Sequence, residues 1–216
     1  DLHCKNFGKN QSELISKIKA AKPDMIALTG DIVDEDHDSI SSVEDLLKGI
    51  KDLAPIYFVT GNHELTSLAA TQYQELLALF QKYGVTDLDN DSVKLKKGGQ
   101  SITLYGRQYF SQYLTDSLPI ASDKDFDILL YHGSDNFKEI APYHYDLILS
   151  GHAHGGIVRL PIWGGIFGND GTFFPEYAGG EYTIGDATLI SSRGLGDASI
   201  PRFNNPPELV VIKLNP

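Results

Sequence analysis

At 216 residues, with 41% hydrophobic and 22% charged residues, the chain can bury a substantial core and has the make-up of an ordinary globular protein. Its formal net charge of −11, without any Lys/Arg cluster, argues against a long nucleic acid or an anionic membrane surface as a partner. A single cysteine, Cys4, excludes an intramolecular disulfide, and no run approaches the ~18 apolar residues of a membrane helix.

The chain opens on Asp1-Leu2-His3, with no initiator Met, signal peptide or preceding strand. The expectation is a single domain over residues 1–216 whose N-terminal strand, and any targeting or anchor segment, belong to a longer natural chain. Such a segment would make the protein membrane-associated or exported; otherwise it would be cytoplasmic. Leu14, Ile15 and Ile18 at helical spacing predict a helix over 10–22, capped by Asn10 or Ser12 and closed by Pro23-Asp24. Met25 to Thr29 reads as a buried strand running into Gly30-Asp31. A second helix is predicted over Ser39–Leu53, with Val43, Leu46, Leu47 and Ile50 on one face. Ile56 to Val59 is a second strand, running into Thr60-Gly61-Asn62-His63. A third helix over 67–83 presents Leu68, Tyr73, Leu76, Leu77, Leu79 and Phe80 as a core face. This strand–helix alternation is the mark of an α/β sheet.

After Gly84, Ser92–Lys96 and Ser101–Gly106 alternate around Lys97-Gly98-Gly99-Gln100 and predict a hairpin. Residues 107–124 are mixed, with room for a short helix. Phe126 to Tyr131 is a strand ending in His132-Gly133, Asn136 to Ala141 a brief helix, and Tyr145 to Ser150 a strand ending in Gly151-His152-Ala153-His154. Residues 155–180 form a loop rich in glycine and aromatics, with Trp163, Phe167, Phe173, Phe174 and Tyr177. Such a loop either lines a pocket for an apolar group or packs over the sheet edge. Glu181–Ile184, Ala187–Ser191 and Leu209–Leu214 read as three closing strands.

Four of these apolar runs end in residues that bind metals, and in α/β sheets ligands gather at the carboxyl ends of strands. The inventory is Asp1, His3, Asp31, Asn62, His132, His152 and His154; with His63, the motifs hold five of the seven histidines. Mixed His, carboxylate and amide ligands suit Mn, Fe, Co, Ni or Zn. Seven ligands are too many for one catalytic ion and suit two divalent transition-metal ions sharing a carboxylate, for which Asp31 is the natural bridge. His63 directly follows Asn62, so both would hardly ligate one ion; it reads as a proton donor.

The order Asp-x-His, Gly-Asp-x-x-Asp, Gly-Asn-His-Glu, His, Gly-His-x-His over residues 1–154 resembles the calcineurin-like metallophosphoesterase family. Gly155-Gly156, Arg159-Leu160-Pro161, Ser192 to Gly196 and Pro206-Pro207-Glu208 narrow the resemblance to its YkuE-like bacterial branch. It implies a four-layer α/β/β/α sandwich of two mixed sheets. Asp1, His3, Asp31 and His154 would hold one ion, and Asp31, Asn62, His132 and His152 the other. Asp34 would orient His63. The implied activity is hydrolysis of a phosphate mono- or diester through a metal-bound hydroxide, with His63 as general acid. The substrate would be small and phosphorylated, with a lipid-like one compatible with the aromatic loop. A cyclic-nucleotide phosphodiesterase or nuclease would use the same centre, and a non-catalytic scaffold the same fold. Two departures disfavour subfamilies: Glu35 stands where protein Ser/Thr phosphatases carry a phosphate-binding arginine, and Asp34 where purple acid phosphatases carry a tyrosine ligand. Arg193 and Arg202 either contact phosphate or anchor loops. His37 and His144 read as surface or structural, and Cys4 as a small buried residue.

Overall fold

The structure is a computed structural model that describes residues 1–67, 70–109, 114, 118–121, 125–168, 171–197 and 200–215. The first helix, α1 (Ser12–Ala21), begins later than predicted because Asn10 and Gln11 both take positive φ, 52° and 58°. Neither Asn10 nor Ser12 caps it. Buried Gln11 instead accepts from the Phe7 N–H at 2.9 Å and donates to the Lys5 carbonyl at 2.7 Å. Strand β1 (Ile26–Leu28), helix α2 (Ser41–Ile50), strand β2 (Ile56–Phe58), a π-helical turn (His63–Ser67), helix α3 (Ala70–Tyr83) and strand β3 (Val85–Asp87) follow. Leu68, assigned to the third helix by its spacing, lies outside the described residues.

The three strands form a parallel sheet in the order β1-β2-β3, with Ile26 beside Ile56 and Ile56 beside Val85. At three residues, β3 is too short to show periodicity and is invisible in the sequence. The second half of the chain builds the larger sheet. Its strands are β4 (Ser92–Lys97), β5 (Gln100–Arg107), β6 (Phe126–Gly133) and β7 (Leu147–Gly151), with the short helix α4 (Phe137–Ile140) between the last two. After the small hairpin β8 (Val158–Leu160) and β9 (Gly164–Phe167), β10 (Gly180–Ile184) and β11 (Ala187–Ser191) complete it. The order is β10-β11-β7-β6-β5-β4, parallel from β11 to β5 and antiparallel at both edges.

Strand periodicity dictates the layers, because neighbouring side chains leave a strand on opposite faces. Ile56 and Phe58 of β2 pack with Val43, Leu46, Leu47 and Ile50 of α2 and with Leu76 and Phe80 of α3. Tyr57 points the other way and meets Leu104, Ile128, Leu130, Leu147 and Leu149 of the larger sheet. On the far face of that sheet Leu129, Tyr131 and Ile148 pack against Phe137 and Ile140 of α4. The sequence of layers is helices, small sheet, large sheet, helix, which is the sandwich expected. The predicted face of α2 is buried at every named position.

Two expectations fail. The stretch 155–180 is not a plain loop, since β8 and β9 pair within it; Pro161 and Gly164-Gly165 break the run into strands too short to read as alternation. The segment 209–214 pairs with no strand among the described residues. Val211 and Leu214 are solvent-exposed, so their apolar pattern has no face to bury. Most of 107–124 lies outside the described residues, and the short helix considered there with it. Among the described residues no helix is long and apolar enough to cross a membrane.

Candidate metal centre

The loops leaving β1, β2, β6 and β7 converge. One ligand atom each from Asp1, His3, Asp31 and His154 lies within 4.8 Å of the others, and the same holds for Asp31, His132 and His152. Asp31 belongs to both groups. In the first, His3 Nε2 is 3.1 Å from His154 Nε2 and 3.9 Å from Asp31 Oδ2, while His154 Nε2 is 3.6 Å from Asp1 Oδ1. In the second, His132 Nε2 lies 3.0 Å from Asp31 Oδ2 and 3.2 Å from His152 Nδ1. Asn62 joins this second group, with Oδ1 at 3.2 Å from His132 Nε2.

The fit to a divalent ion follows from donor chemistry. His132 Nδ1 is 2.7 Å from the Thr29 carbonyl, which only accepts, so Nδ1 carries the proton. Nε2 then turns its lone pair toward a carboxylate oxygen, an amide oxygen and a second imidazole nitrogen. For a neutral ring those contacts repel, and a cation among them makes every one attractive. Burial pushes the imidazoles of His3 and His154 below their ordinary values, so both keep the neutral form that ligates. Burial opposes ionisation of Asp31, but positive charge among the imidazoles around it, at His132 first and then at His3 and His63, together outweighs burial and would hold the carboxyl well below the usual range.

The backbone is bent to reach this arrangement. His3, Asp31, His152 and His154 all sit at positive φ, between 48° and 69°. Non-glycine residues hold such conformations only where their surroundings over-determine them. A bulge between Leu130 and Gly133 interrupts the β6–β7 register at His132 and aims its side chain. Gly61 has no alternative, because a Cβ there would lie 2.2 Å from Asp31 Oδ1.

Three residues outside the predicted inventory hold the ligands. Buried Glu64 accepts from the backbone N–H groups of Asp31 (2.9 Å), Ile32 (2.7 Å), Val33 (3.4 Å) and Gly61 (2.7 Å), tying the β1 loop to the β2 loop. Its place in Gly-Asn-His-Glu was the available signal. Tyr109 lies with its hydroxyl 3.4 Å from His152 Nε2, in a stretch without any pattern to mark it. Burial, with Asp135 and Asp31 nearby, pushes that phenol up to about 12. Asn205 donates to the His154 carbonyl at 2.6 Å from the C-terminal segment.

Several roles are corrected or decided. Asp34 does not meet His63. Its Oδ1 is 2.6 Å from His37 Nδ1 and its Oδ2 3.5 Å from His3 Nδ1. Burial resists ionisation of Asp34, but these hydrogen bonds prevail and hold it at about 2. His63 Nδ1 lies instead 2.6 Å from Glu35 Oε2. The two acids are neighbours, and only the local backbone decides which turns inward. His37, half exposed, serves Asp34 rather than standing alone. Arg193 pairs with Glu208 at 2.8 Å. Arg202 donates to the carbonyls of Gly196 (2.9 Å), His154 (3.2 Å) and Arg193 (2.7 Å), with its Nη2 3.1 Å from His154 Nδ1. Of the two readings for these arginines, loop anchoring is the one their contacts match. Cys4 is buried, and burial pushes its thiol up to about 11, so it behaves as a neutral small side chain.

With this geometry in hand, comparison with known proteins is direct. The family model described as calcineurin-like phosphoesterase matches residues 1–156. The uncharacterized metallophosphoesterase YkuE of Bacillus subtilis is 30% identical over 99% of this chain and 76% of its own length. The phosphodiesterase YaeI of Escherichia coli is 27% identical over 99% of this chain and 79% of its own. YkoQ of Bacillus subtilis, also an uncharacterized metallophosphoesterase, is 28% identical over 74% of this chain and 61% of its own. Among solved structures, the sulfate thiohydrolase SoxB of Thermus thermophilus superposes with a TM-score of 0.50 at 16% identity, covering 84% of this chain and 37% of that one. That likeness concerns the fold alone.

Proposed function

The chain belongs to the calcineurin-like phosphoesterase family of metal-dependent phosphoester hydrolases, and on that premise we propose that it hydrolyses a phosphodiester at a centre of two divalent ions. The observation that carries this reading is the pair of ligand groups sharing Asp31. Asp1, His3, Asp31 and His154 would hold one ion; Asp31, Asn62, His132 and His152 the other. Bound there, the ions would supply Lewis acidity toward the phosphoryl oxygens and a nucleophile from water at neutral pH. The chain's own residues do the rest. Glu64 and Arg202 fix the loops that carry the ligands, so no reorganisation is required during the reaction. His63 is 23% exposed in its side chain, lies edge-on to His3 at 4.8 Å between ring centroids, and makes no hydrogen bond through Nε2 among the described residues. That nitrogen is available to protonate the departing alkoxide.

A diester is favoured over a monoester by charge. The surrounding arginines Arg159, Arg193 and Arg202 are each engaged, with the Gly155 carbonyl, Glu208 and loop carbonyls respectively. Glu35 occupies the position where an arginine would greet a phosphate dianion. A monoanionic diester needs less positive charge than a dianionic monoester, and the name of YaeI points the same way.

A second reading concerns the leaving group. Ile162, Trp163, Phe173 and Phe174 are exposed on and beside the hairpin that follows His154 directly, which suits a lipid-like or other apolar ester.

The test measures metal content and turnover of bis(4-nitrophenyl) phosphate, 4-nitrophenyl phosphate and a cyclic nucleotide after loading with Mn, Fe or Zn. Two ions per chain with faster diester than monoester turnover supports the reading. Little metal under every loading condition and no turnover would favour a scaffold. Preference for the cyclic nucleotide would redirect the substrate class. His63→Ala should keep its metals while losing about a hundredfold in turnover of esters with poor leaving groups; metal loss instead would make His63 a ligand.

A further inference from the structure

The two ligand groups share Asp31 but differ in charge and in cover. The first adds the carboxylate of Asp1 and two imidazoles, and the side chains of Asp1, His3, Asp31 and His154 are at most 5% exposed. The second has no carboxylate of its own. It adds the neutral amide of Asn62 and the imidazoles of His132 and His152, and both Asn62 and His152 are half-buried. A divalent cation is held more firmly the more negative charge its ligands carry and the less they can move. Tyr109 stands beside this second group. Its ring lies edge-on to His132 at 5.1 Å between centroids and tilted to His152 at 5.3 Å, and its hydroxyl is 3.4 Å from His152 Nε2. Gly133 makes this seat possible, since a Cβ there would lie 3.0 Å from Tyr109 Cε2.

We propose that the ion of the second group is the exchangeable one and that Tyr109, acting through His152, sets how firmly it is held. The inference rests on the two-ion reading of the centre. His152 Nδ1, 3.2 Å from His132 Nε2, is the ring atom turned toward the other ligands. An imidazole that gives one nitrogen's lone pair to a metal carries its proton on the other. Nε2–H would then donate to the Tyr109 oxygen, which fixes the ring's rotation about its side-chain torsions. Without the hydroxyl the ring can turn, and an ion that needs it in one orientation is held less firmly. The first group shares only Asp31 with this arrangement. Tyr109 is thus a positioning residue. The consequence is that turnover follows the free metal concentration, with one ion staying bound while the other comes and goes.

Metal-free protein titrated with Mn(II), the free ion counted by its EPR signal, should show a tighter and a weaker step. Like charges weaken the later step in any dinuclear site, so the assignment lies in which step each variant moves. Asn62→Ala, which deletes a donor of the second group alone, should weaken only the weaker step. Tyr109→Phe, which keeps the ring and loses the hydroxyl, should weaken that same step about tenfold and leave the tighter one within about twofold. At Mn(II) concentrations where the unmodified protein shows the exchange-coupled spectrum of a metal pair, Tyr109→Phe should show that of a single ion. The urea midpoint of metal-free Tyr109→Phe should match that of the unmodified protein, which a general loosening of the fold would not allow. A tighter step moved by Asn62→Ala would place the firmly held ion in the second group and overturn the inference. So would a Tyr109→Phe titration that coincides with the unmodified one, or one in which both steps and the metal-free stability fall together. Saturation at one ion in the unmodified protein would instead sink the two-ion reading itself.

Discussion

His154 closes the metal loops and Gly155 opens the stretch that carries the hairpin, yet the two regions are built on opposite terms. At the loops, His3, Asp31, His152 and His154 are held at positive φ, and His3, Asp31 and His154 are almost wholly buried. Each is braced by something outside itself: Asp34 behind His3, Glu64 beneath the Asp31 backbone, Tyr109 behind His152, Arg202 and Asn205 behind His154. At the hairpin, Ile162 is fully exposed and Trp163 70% exposed. Strain needs surroundings that over-determine it, and the loops have them. Exposed apolar side chains gathered at one tip are the kind of patch that marks an interaction surface. Strain and burial thus gather at the loops that carry the candidate ligands, and exposed apolar side chains at the hairpin; on the proposed function the first would hold the chemistry and the second would meet the substrate.

The largest expected effect tests the rigid side at its shared residue. Asp31→Asn keeps the shape but removes the charge common to both ligand groups. Diester turnover should fall roughly a thousandfold, with at least one ion lost on metal analysis. Full activity with two ions bound would mean that Asp31 bridges nothing.

Next comes the brace. In Glu64→Gln an NH2 group replaces an oxygen that accepts from backbone N–H groups, so donors face donors inside the core. Removing the acceptor from such a site costs about 3 kcal/mol, read as a lower urea midpoint at unchanged slope. Because these N–H groups belong to Asp31, Ile32, Val33 and Gly61, metal affinity should fall as well. If stability falls while metal affinity holds, Glu64 is a fold anchor and the loops do not depend on it.

Asp31, Asn62, His132 and His152 were legible in the sequence because each follows a hydrophobic run, and the carboxyl ends of strands share one edge of the fold. The helical faces of α2 and α3 were equally plain, since a 3.6-residue period survives over three turns. What stayed hidden has physical reasons. β3, β8 and β9 are three or four residues long, below the length at which alternation is a signal. The 209–214 run is apolar and reads as a strand, but it pairs with no strand among the described residues. Tyr109 and Arg202 act through positions reached only after folding. That His63 contacts Glu35 and not its neighbour Asp34 follows from the local turn of the backbone after Asp31, which itself sits at positive φ. Glu64 was visible as a letter in the motif but not as a brace, because four backbone donors converging on one carboxylate leave no trace in residue types.

Not every brace stabilises. Asp89 accepts from the Thr60 N–H at 3.0 Å and from its hydroxyl at 2.7 Å, just before the Asn62 loop. Burial raises its carboxyl to about 6, with Asp87 and Glu64 adding to the effect against the Thr60 bonds. A raised folded-state value means that the folded protein holds its proton more tightly than the unfolded chain. This group's contribution is therefore fully present below about pH 4 and is lost as pH rises through about 6. An asparagine in its place would keep both contacts without the charge, its oxygen accepting from the N–H and its amide donating to the hydroxyl. Relative to the unmodified protein, Asp89→Asn should gain about 1 kcal/mol between pH 4 and pH 7 and nothing further above it, in denaturation curves taken across that range. A difference that does not move with pH would place the charge of Asp89 in water.

The smallest effect belongs to the hairpin, and it is the one that separates the regions most cleanly. Trp163 is the chain's only tryptophan, so its fluorescence reports the hairpin tip and nothing else. If the tip receives an apolar leaving group, a dispersed long-chain dialkyl phosphate should shift that emission to the blue, while bis(4-nitrophenyl) phosphate should not. Replacing Ile162 and Trp163 together by serine should lower kcat/KM for a long-chain ester about fivefold, the value of roughly 1 kcal/mol of apolar contact. The same variant should cleave the small diester at the unmodified rate and bind its metals unchanged. The two outcomes pull the regions apart: a loss on both substrates would mean that the hairpin is part of the catalytic frame after all, since the loops would then depend on the tip. No loss on either would mean that the exposed aromatics meet something other than substrate. Only a loss confined to the long-chain ester fits a rigid centre served by an interchangeable rim.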